Sequence, residues 1–416
     1  MSKRNENRPG YKKTKVGWIP EEWNCQHLHN LCTASGQYGA CAPAIPYLNE
    51  APRYIRITDI TDNGNLLNIN KVSIPPDSAV KYFLSFGDFL FARTGATVGK
   101  TYLHDKDSGQ YAFAGYLIRF IPDENLLLGV FLKNYTQTDR YYYWVKTTLH
   151  AGAQPNINAA EYGSLSVPVP PLPEQKKIAE ILSTWDEAIE QTRKLIDAKK
   201  RRKKALMQEL LTGKKRFKDN GGNDWRIRSF GELVEPVSRP IPKPKEPYLS
   251  IGIRSHGKGT FQKIVELPEK VMMDTLYRID FQDLVTNITF AWEGAIAIAT
   301  ERDKGGLVSH RFPTYRFREK EADIGFFSHL ILSKKFVWDL GLISPGGAGR
   351  NRVMSKKNFL KLKVFVPSIE IQEEIGKILT TADNKIKALE NYRNTADKQK
   401  RGLMQKLLTG EVRVSV

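Results

Sequence analysis

The sequence predicts an α+β chain made twice over: two mixed α/β domains in tandem duplication, separated by two long helices that pair as an antiparallel coiled coil. Three observations carry that expectation. A long segment recurs at a constant offset, both copies have helical periodicity, and what stands before each copy reads as short strands and turns.

The repeat is ungapped. Val167–Gly213 returns as Val364–Gly410, every pair 197 residues apart, with 18 identities in 47 positions. Such a repeat divides the 416 residues into a flexible basic tail (1–15), a first domain (16–170), a central helix (171–214), a second domain (215–367) and a distal helix (368–412). A chain of this length has material for several cores.

Each repeated segment reads as a helix with one narrow apolar stripe. Pro173 suits a first helical position, and Gly213 follows the last periodic residue as a cap. Between them run Ile178, Leu182, Trp185, Ile189, Ile196, Leu206 and Leu210. The second stripe is Ile375, Leu379, Ala382, Ile386, Leu389, Ala396, Leu403 and Leu407, with Gly410 as its cap. A rod near 60 Å long, at about 1.5 Å per residue, with so narrow a stripe needs a partner stripe. The nearest is the other copy, and a tandem duplicate pairs most simply about a two-fold axis, which makes the helices antiparallel. Lys199, Lys203, Arg393 and Lys400 interrupt the stripes and suggest a loosened, solvated centre. The surface left over suits a further protein.

The two halves open alike, Trp23, Leu28 and Leu31 being answered by Trp225, Phe230 and Leu233. Strand-like runs follow at Tyr54–Ile60, Phe89–Ala92 and Tyr116–Ile121, then at Leu249–Ile253, Ala295–Ala299 and Tyr315–Phe317. Gly87–Asp88 and Gln282–Asp283 stand as turns before apolar strands. The interiors otherwise diverge, as two readers of different targets would.

The net charge of +19 points to a polyanion. Residues 171–217 carry +6 and residues 218–363 carry +8, so the excess lies in folded segments and not in a tail. Cys25, Cys32 and Cys41 lack metal-site spacing and read as reduced thiols of a cytoplasmic protein. No apolar run approaches a membrane span, and the charged start is not a signal peptide.

Catalytic signatures are missing. Gly95-Ala-Thr-Val-Gly99-Lys100-Thr101 falls one residue short of a phosphate-binding loop, with Thr94 where glycine is required. The sequence has no Pro-Pro-aromatic methylation tetrad, no glycine loop for a methyl donor, no deaminase zinc motif and no convincing nuclease trio. No catalytic or metal-binding residue is therefore assigned. Donor-rich loops are plentiful instead. Arg93, Thr94 and Lys100 sit in the glycine loop, and Arg56, Thr58, Gln154 and Asn156 lie elsewhere in the first half. The second half offers Arg254, Ser255, His256 and Lys258, then His310 and Arg311, then Arg350, Asn351 and Arg352. Arginine to guanine and Asn or Gln to adenine are the pairings that the major groove favours.

In order, these motifs resemble the specificity subunit of type I restriction–modification systems over essentially the whole chain. Tyr11-Lys-x-Thr, Gly17–Pro20 and Trp23 are similar to that family's opening. Gly87–Asp88, Arg93–Ala96 and Gly99–Lys100 resemble its first recognition domain, and Gln154–Ile157 with Pro170–Leu172 and Glu174–Gln175 the approach to its central helix. Leu210–Gly213 and Leu407–Gly410 resemble its helix ends. The second half departs, with Asn351-Arg-Val-Met for Gln154-Pro-Asn-Ile and Ala291–Gly294 where an Arg-Thr-Gly loop would stand.

The resemblance implies a non-catalytic subunit that binds a bipartite double-stranded DNA target through two recognition domains, with the helices setting the spacer. It implies separate modification subunits, two of them, and restriction subunits. Those partners would carry S-adenosylmethionine, ATP and Mg, with no cofactor on this chain. Two other classes fit the residues less well: a self-contained nuclease or P-loop ATPase, and a coiled-coil protein that bridges DNA without sequence preference.

Overall fold

The computed structural model describes residues 5–106, 109–149, 155–215, 225–347 and 352–415. The chain divides into two compact units, residues 1–192 with 392–416, and residues 193–391. Each unit takes part of both long helices, α1 (Leu172–Leu210) and α2 (Ile369–Leu407). Each helix has 39 residues, about 58 Å at 1.5 Å per residue. The first begins one residue before the expected Pro173, at Leu172.

In the first unit a four-stranded antiparallel sheet runs in the order Cys32–Tyr38, Leu117–Pro122, Phe89–Ala92, Thr101–Leu103. Phe89 and Phe91 point into a core with Trp23, Phe120, Tyr141 and Tyr162, which also takes Ile178 and Leu182 of α1 and Met404 and Leu407 of α2. Leu90 and Ala92, on the opposite face, enter a second core with Ile55, Tyr102 and Phe113. Alternate residues thus face two cores, which is why this strand is apolar throughout. A second sheet contains the one parallel pair of this unit's named strands, Arg53–Ile55 with Tyr111–Phe113.

The expected flexible tail is corrected for residues 5–15. Tyr11–Thr14 pairs with Gly17–Pro20. The side chains of Asn5, Arg8 and Tyr11 donate to the carbonyls of Thr409, Glu411 and Gly410 at 3.3, 2.9 and 2.5 Å. These carbonyls lie in the turn that follows the end of α2 at Leu407, and the start of the chain supplies their donors. Arg413 in turn holds the buried Glu174 carboxylate, which also accepts from Trp23 Nε1 at 2.9 Å.

The second unit repeats the four-stranded sheet: Val234–Val237, Thr314–Phe317, Leu284–Thr286, Ile296–Ile298. A larger sheet has five strands, with Pro240–Pro242 and Thr260–Val265 at its two edges. The Asp turns expected before the apolar strands occupy matching places. Asp88 accepts from the Ser85 N–H and from Arg119, and Asp283 from the Asp280 N–H and from Arg239 and Arg316. Both carboxylates are buried, and Arg119 and Arg316 stand on equivalent strands. The residue before each Asp is left-handed, Gly87 at φ 89° and Gln282 at φ 66°.

The identities between the repeats lie at the joints of this frame. Gln175 donates to the carbonyls of Leu126 and Pro170 and accepts from Leu128 N–H. Gln372 does the same with Glu321, Pro367 and the Asp323 N–H. Gly213 and Gly410 follow the helix ends at φ 70° and 71°. A Cβ at Gly410 would sit 2.4 Å from Pro20, so glycine is required there twice, by conformation and by space.

Lys203 and Lys400 correct the expectation of a loosened centre. In the first unit Lys400 Nζ donates to both oxygens of Asp186 at 2.6 and 2.7 Å. In the second, Lys203 Nζ donates to both oxygens of Asp383 at 2.6 Å. Both pairs are made of the same two repeat positions, each joining α1 to α2. In the first unit Glu174 also meets Arg413, and in the second Lys200 meets Glu390, so within each unit the helices run antiparallel. Of the stripe residues, Ile178, Leu182, Ile196, Leu210, Ile375, Leu379, Ile386 and Leu407 are buried. Trp185, Ile189, Leu206, Leu389 and Leu403 are half-buried.

One element breaks the symmetry. His329, buried in the helix Ile324–Leu330, lies 3.7 Å from Asp383, and its Nε2 has no hydrogen-bond partner among the described residues. In the first unit the helix Gly129–Tyr135 carries Asn134 at the matching place. Burial, reinforced by Lys203 and opposed by Asp383 and Asp323, holds the imidazole pKa at about 4, down from its ordinary 6.5.

Two outcomes follow from these contacts. Asp186→Ala strands Lys400, whose side chain is 10 % exposed, whereas Lys400→Met leaves Asp186, 59 % exposed, to water. The first should cost about 1–3 kcal/mol and the second below about 1 kcal/mol, read from urea midpoints of the full chain. As pH falls from 6.5 towards 4, the unfolded chain binds a proton at His329 that the folded chain refuses, so stability should drop over that window. His329→Asn should flatten this part of the pH profile; an unchanged slope would place the proton elsewhere.

Candidate nucleic-acid interface

In the first unit, residues 93–100 join two antiparallel strands, Phe89–Ala92 and Thr101–Leu103. A phosphate-binding loop leads from a strand into a helix, so this hairpin loop is not one. Pro155–Ile157 lies across it: Gly95 N–H donates to Pro155 O at 3.0 Å and Ile157 N–H to Arg93 O at 2.9 Å. The Arg93 guanidinium stacks 4.7 Å over the Tyr38 ring and donates to Asn156 Oδ1 at 3.3 Å. The backbone N–H of Arg93 donates to Tyr116 O, and Tyr116 itself is 60 % exposed. Arg93 and Asn156 thus form one half-buried donor cluster against the Tyr38 ring, a tyrosine that sequence reasoning missed. The sequence puts Tyr116 at the head of a strand-like run, Tyr116–Ile121, whereas the strand starts one residue later, at Leu117.

Thr94 is buried, and it bridges to Asn156 through the backbone. Arg56 is already engaged within the fold. Its guanidinium is held by Asp59 at 2.9 and 3.1 Å and by Asn70 O at 2.9 Å, an arrangement that caps the turn Ile57–Asp59. Thr58 beside it is exposed. Lys100 is paired with Asp62 at 2.8 Å. Gln154 lies outside the described residues.

In the second unit Arg254–Gly259 is the turn between strands Tyr248–Ile253 and Thr260–Val265. Arg254 is exposed and stacks 5.2 Å over the Phe261 ring. Glu293 organises the next two residues: its carboxylate accepts from Ser255 Oγ at 2.7 Å and its carbonyl from His256 N–H at 2.7 Å. His256 is left-handed at φ 62°, and both His256 and Lys258 project into solvent. Lys258 has no ionic partner among the described residues.

Beside that turn is a hollow of about 660 Å3, lined by His256, Trp292, Leu332, Trp338, Leu342 and Arg352. Trp292 and Glu293 belong to the segment that replaces the first unit's Arg-Thr-Gly loop. Arg352, expected to be a free donor, stacks 4.9 Å over Trp292 and donates to the carbonyls of Gly341 and Ser344 at 3.0 and 3.3 Å. Its donors are spent on the end of the helix Lys334–Leu342. Arg350 and Asn351 lie outside the described residues. His310 and Arg311 are exposed; His310 lines a separate hollow, and Arg311 donates to Thr289 Oγ1 at 3.3 Å.

Among the described residues no group of His, Cys, Asp and Glu could hold a metal ion, and no helix is long and apolar enough to cross a membrane. The three cysteines are free thiols, and burial beside Asp123 pushes the Cys32 thiol up to about 12.

The family model for the type I restriction modification DNA specificity domain matches the chain twice, over residues 20–198 and 222–396. The chain belongs to that family. It is a type I specificity subunit, a DNA-recognition subunit that carries no catalysis of its own, and neither the self-contained enzyme nor the non-specific bridge is supported. It is similar to the putative type I restriction enzyme MjaX specificity subunit of Methanocaldococcus jannaschii, 26 % identical over 437 residues and 97 % of both chains. It also resembles that organism's MjaVIII specificity subunit, 25 % identical over 62 % of this chain and 65 % of the relative. Among solved structures, the HsdS subunit of Thermoanaerobacter tengcongensis shares the fold with a TM-score of 0.51 at 15 % identity, over 95 % of this chain and 98 % of that one. The S subunit from M. genitalium does so with a TM-score of 0.56 at 16 % identity, over 92 % and 96 %.

Within this specificity subunit the expected donors divide into spent and free. Arg56→Ala and Arg352→Ala should each lower stability by about 1–3 kcal/mol, because the buried Asp59 carboxylate and the carbonyl of the buried Ser344 each lose a partner. Lys258→Ala should leave the thermal midpoint in place. A midpoint insensitive to Arg352→Ala would return that residue to the pool of free donors.

Proposed function

We propose that the chain reads a two-part double-stranded DNA target, one part with each unit, and that the paired helices set the spacer between them. The observation that carries this is the contrast between joints and loops. Gln175/Gln372, Asp186/Asp383 and Asp88/Asp283 keep the same contacts in both units, while Arg93–Asn156 and Arg254–Lys258 sit on different scaffolds. Two equal frames with unequal loops suit two unequal half-sites.

Arg93 and Asn156 in the first unit, and Arg254, His256 and Lys258 in the second, are the donors we assign to DNA. The arginines fit guanine edges or phosphates and Asn156 fits adenine. Methyl transfer to adenine and ATP-driven cleavage fall to modification and restriction subunits, which would hold S-adenosylmethionine, ATP and Mg. The duplication favours two modification subunits, one against each half of the helix pair. The reading places the assembly in the cytoplasm, where its DNA is.

The spacer supplies the test. A single insertion near Thr212 would strike the Gly213 cap, which packs on Trp225. Seven residues inserted into both helices, after Thr192 and after Asn391, leave both Lys–Asp pairs intact and add about 10.5 Å of helix, about three base-pair steps. Mapped methylated adenines should then show the same half-sites with a longer spacer. Combined with Lys258→Ala, recognition should weaken at one half-site only. Altered half-sites with an unchanged spacer would overturn the reading.

A further inference from the structure

The duplication supplies its own comparison for every feature of the helix pair. In the second unit a groove of about 500 Å3 runs between the end of α1 and the start of α2, floored by Leu206, Ile378 and Ala382. Four cations stand around it, Lys199, Arg202, Lys377 and Lys385, together with one carboxylate, Glu374. Lys199 is half-buried, the other three cations are exposed, and none of the four has an acidic partner among the described residues. Lys203, also on the groove, is already neutralised by Asp383.

At the matching positions 197 residues away, the first unit carries Ala396 for Lys199, Gln399 for Arg202, Glu180 for Lys377 and Ala188 for Lys385. All four positive charges are missing and one is reversed, while Lys177 stands where the second unit has Glu374. Over these five positions the net charge is +3 in the second unit (four cations, one Glu) and 0 in the first (one Lys, one Glu). Trp185 stands where the second unit has Ala382, so the first copy puts a large ring where the groove has its floor. The Lys–Asp pair, by contrast, is the same in both. The frame is kept and the charge is confined to one copy, which a merely solvated helix face does not require.

We propose that this groove is a phosphate-binding surface for the DNA backbone, present in the second unit alone. The inference rests on the DNA-recognition reading above and adds to it an interaction that carries no sequence information. The floor is small, and Thr381 and Lys385 interrupt any apolar stripe along it, so an acidic amphipathic helix would find little to bury. Unpaired Lys and Arg side chains held a few residues apart on two helices suit a run of phosphates, which release counterions when they bind.

Lys199→Gln, Arg202→Gln, Lys377→Gln and Lys385→Gln, combined in the full chain, keep helix propensity and remove only charge. DNA binding measured over a range of salt concentrations should show a slope shallower by roughly 0.9 for each phosphate that is no longer neutralised, about 3 to 4 in all. Preference for both half-sites over random DNA should persist. Lys177→Gln with Glu180→Gln, the charges on the equivalent face of the first copy, should leave the slope unchanged. An unchanged slope in the fourfold variant, with half-site preference intact, overturns the groove and leaves the recognition reading standing. An unchanged slope with loss of a bound protein subunit overturns it in favour of an acidic protein partner. If the parent chain itself shows no preference for its half-sites, the recognition reading fails, while the slope still decides the groove.

Discussion

The Lys–Asp pair that joins the two long helices is the constraint on which each unit depends. Lys400 and Lys203 bring a charged head to a largely covered position, and each is tolerable there only because a carboxylate closes on it. A helix pair slipped by one turn would leave the ammonium against apolar neighbours. The pair therefore specifies register more than it adds stability, as a single polar residue does in the stripe of a coiled coil. Because both partners belong to the repeated segment, one Lys and one Asp, once duplicated, lock both units. Each Lys meets the Asp of the other copy.

Everything else is hung from these locked ends by polar joints. Gln175 and Gln372 tie the helix starts to backbone groups of the loops before them, and the buried Asp88 and Asp283 tie the sheet to arginines on the neighbouring strand. These are buried groups with full sets of partners, costly to change singly. The loops they position have no such obligations. The first unit presents a guanidinium stacked on a tyrosine, the second a hairpin tip pinned through Glu293. Recognition can thus vary without disturbing the frame.

The frame was legible in the sequence wherever periodicity or duplication marked it. The helices, their glycine caps and the Asp turns all stood at their expected places. What misled was charge whose partner is remote in sequence. Lys203 and Lys400 looked like flaws in an apolar stripe because Asp383 and Asp186 lie 180 and 214 residues away. The start of the chain looked like a loose tail because the carbonyls it satisfies are some 400 positions on. Arg56 and Arg352 looked like free donors for a different reason: their acceptors are near in sequence, Asp59 3 residues away and Ser344 and Gly341 8 and 11, but the turn and the helix end that present them are set by the fold. Donor type is visible in a sequence. Whether a donor is already spent is not.

That distinction also governs how the two copies differ. A spent charge is held by its partner, so Lys203 and Lys400 stay lysine in both copies. A charge facing solvent is free to drift unless an outside partner holds it, and at the four groove positions the copies have drifted completely apart. The same logic applies to His329, whose counterpart is Asn134: both are buried polar side chains, but only one of them titrates. A duplicated frame thus separates two kinds of residue without any alignment of relatives. Positions that match across the repeat answer to the fold, and charged positions that do not match answer to whatever each unit meets.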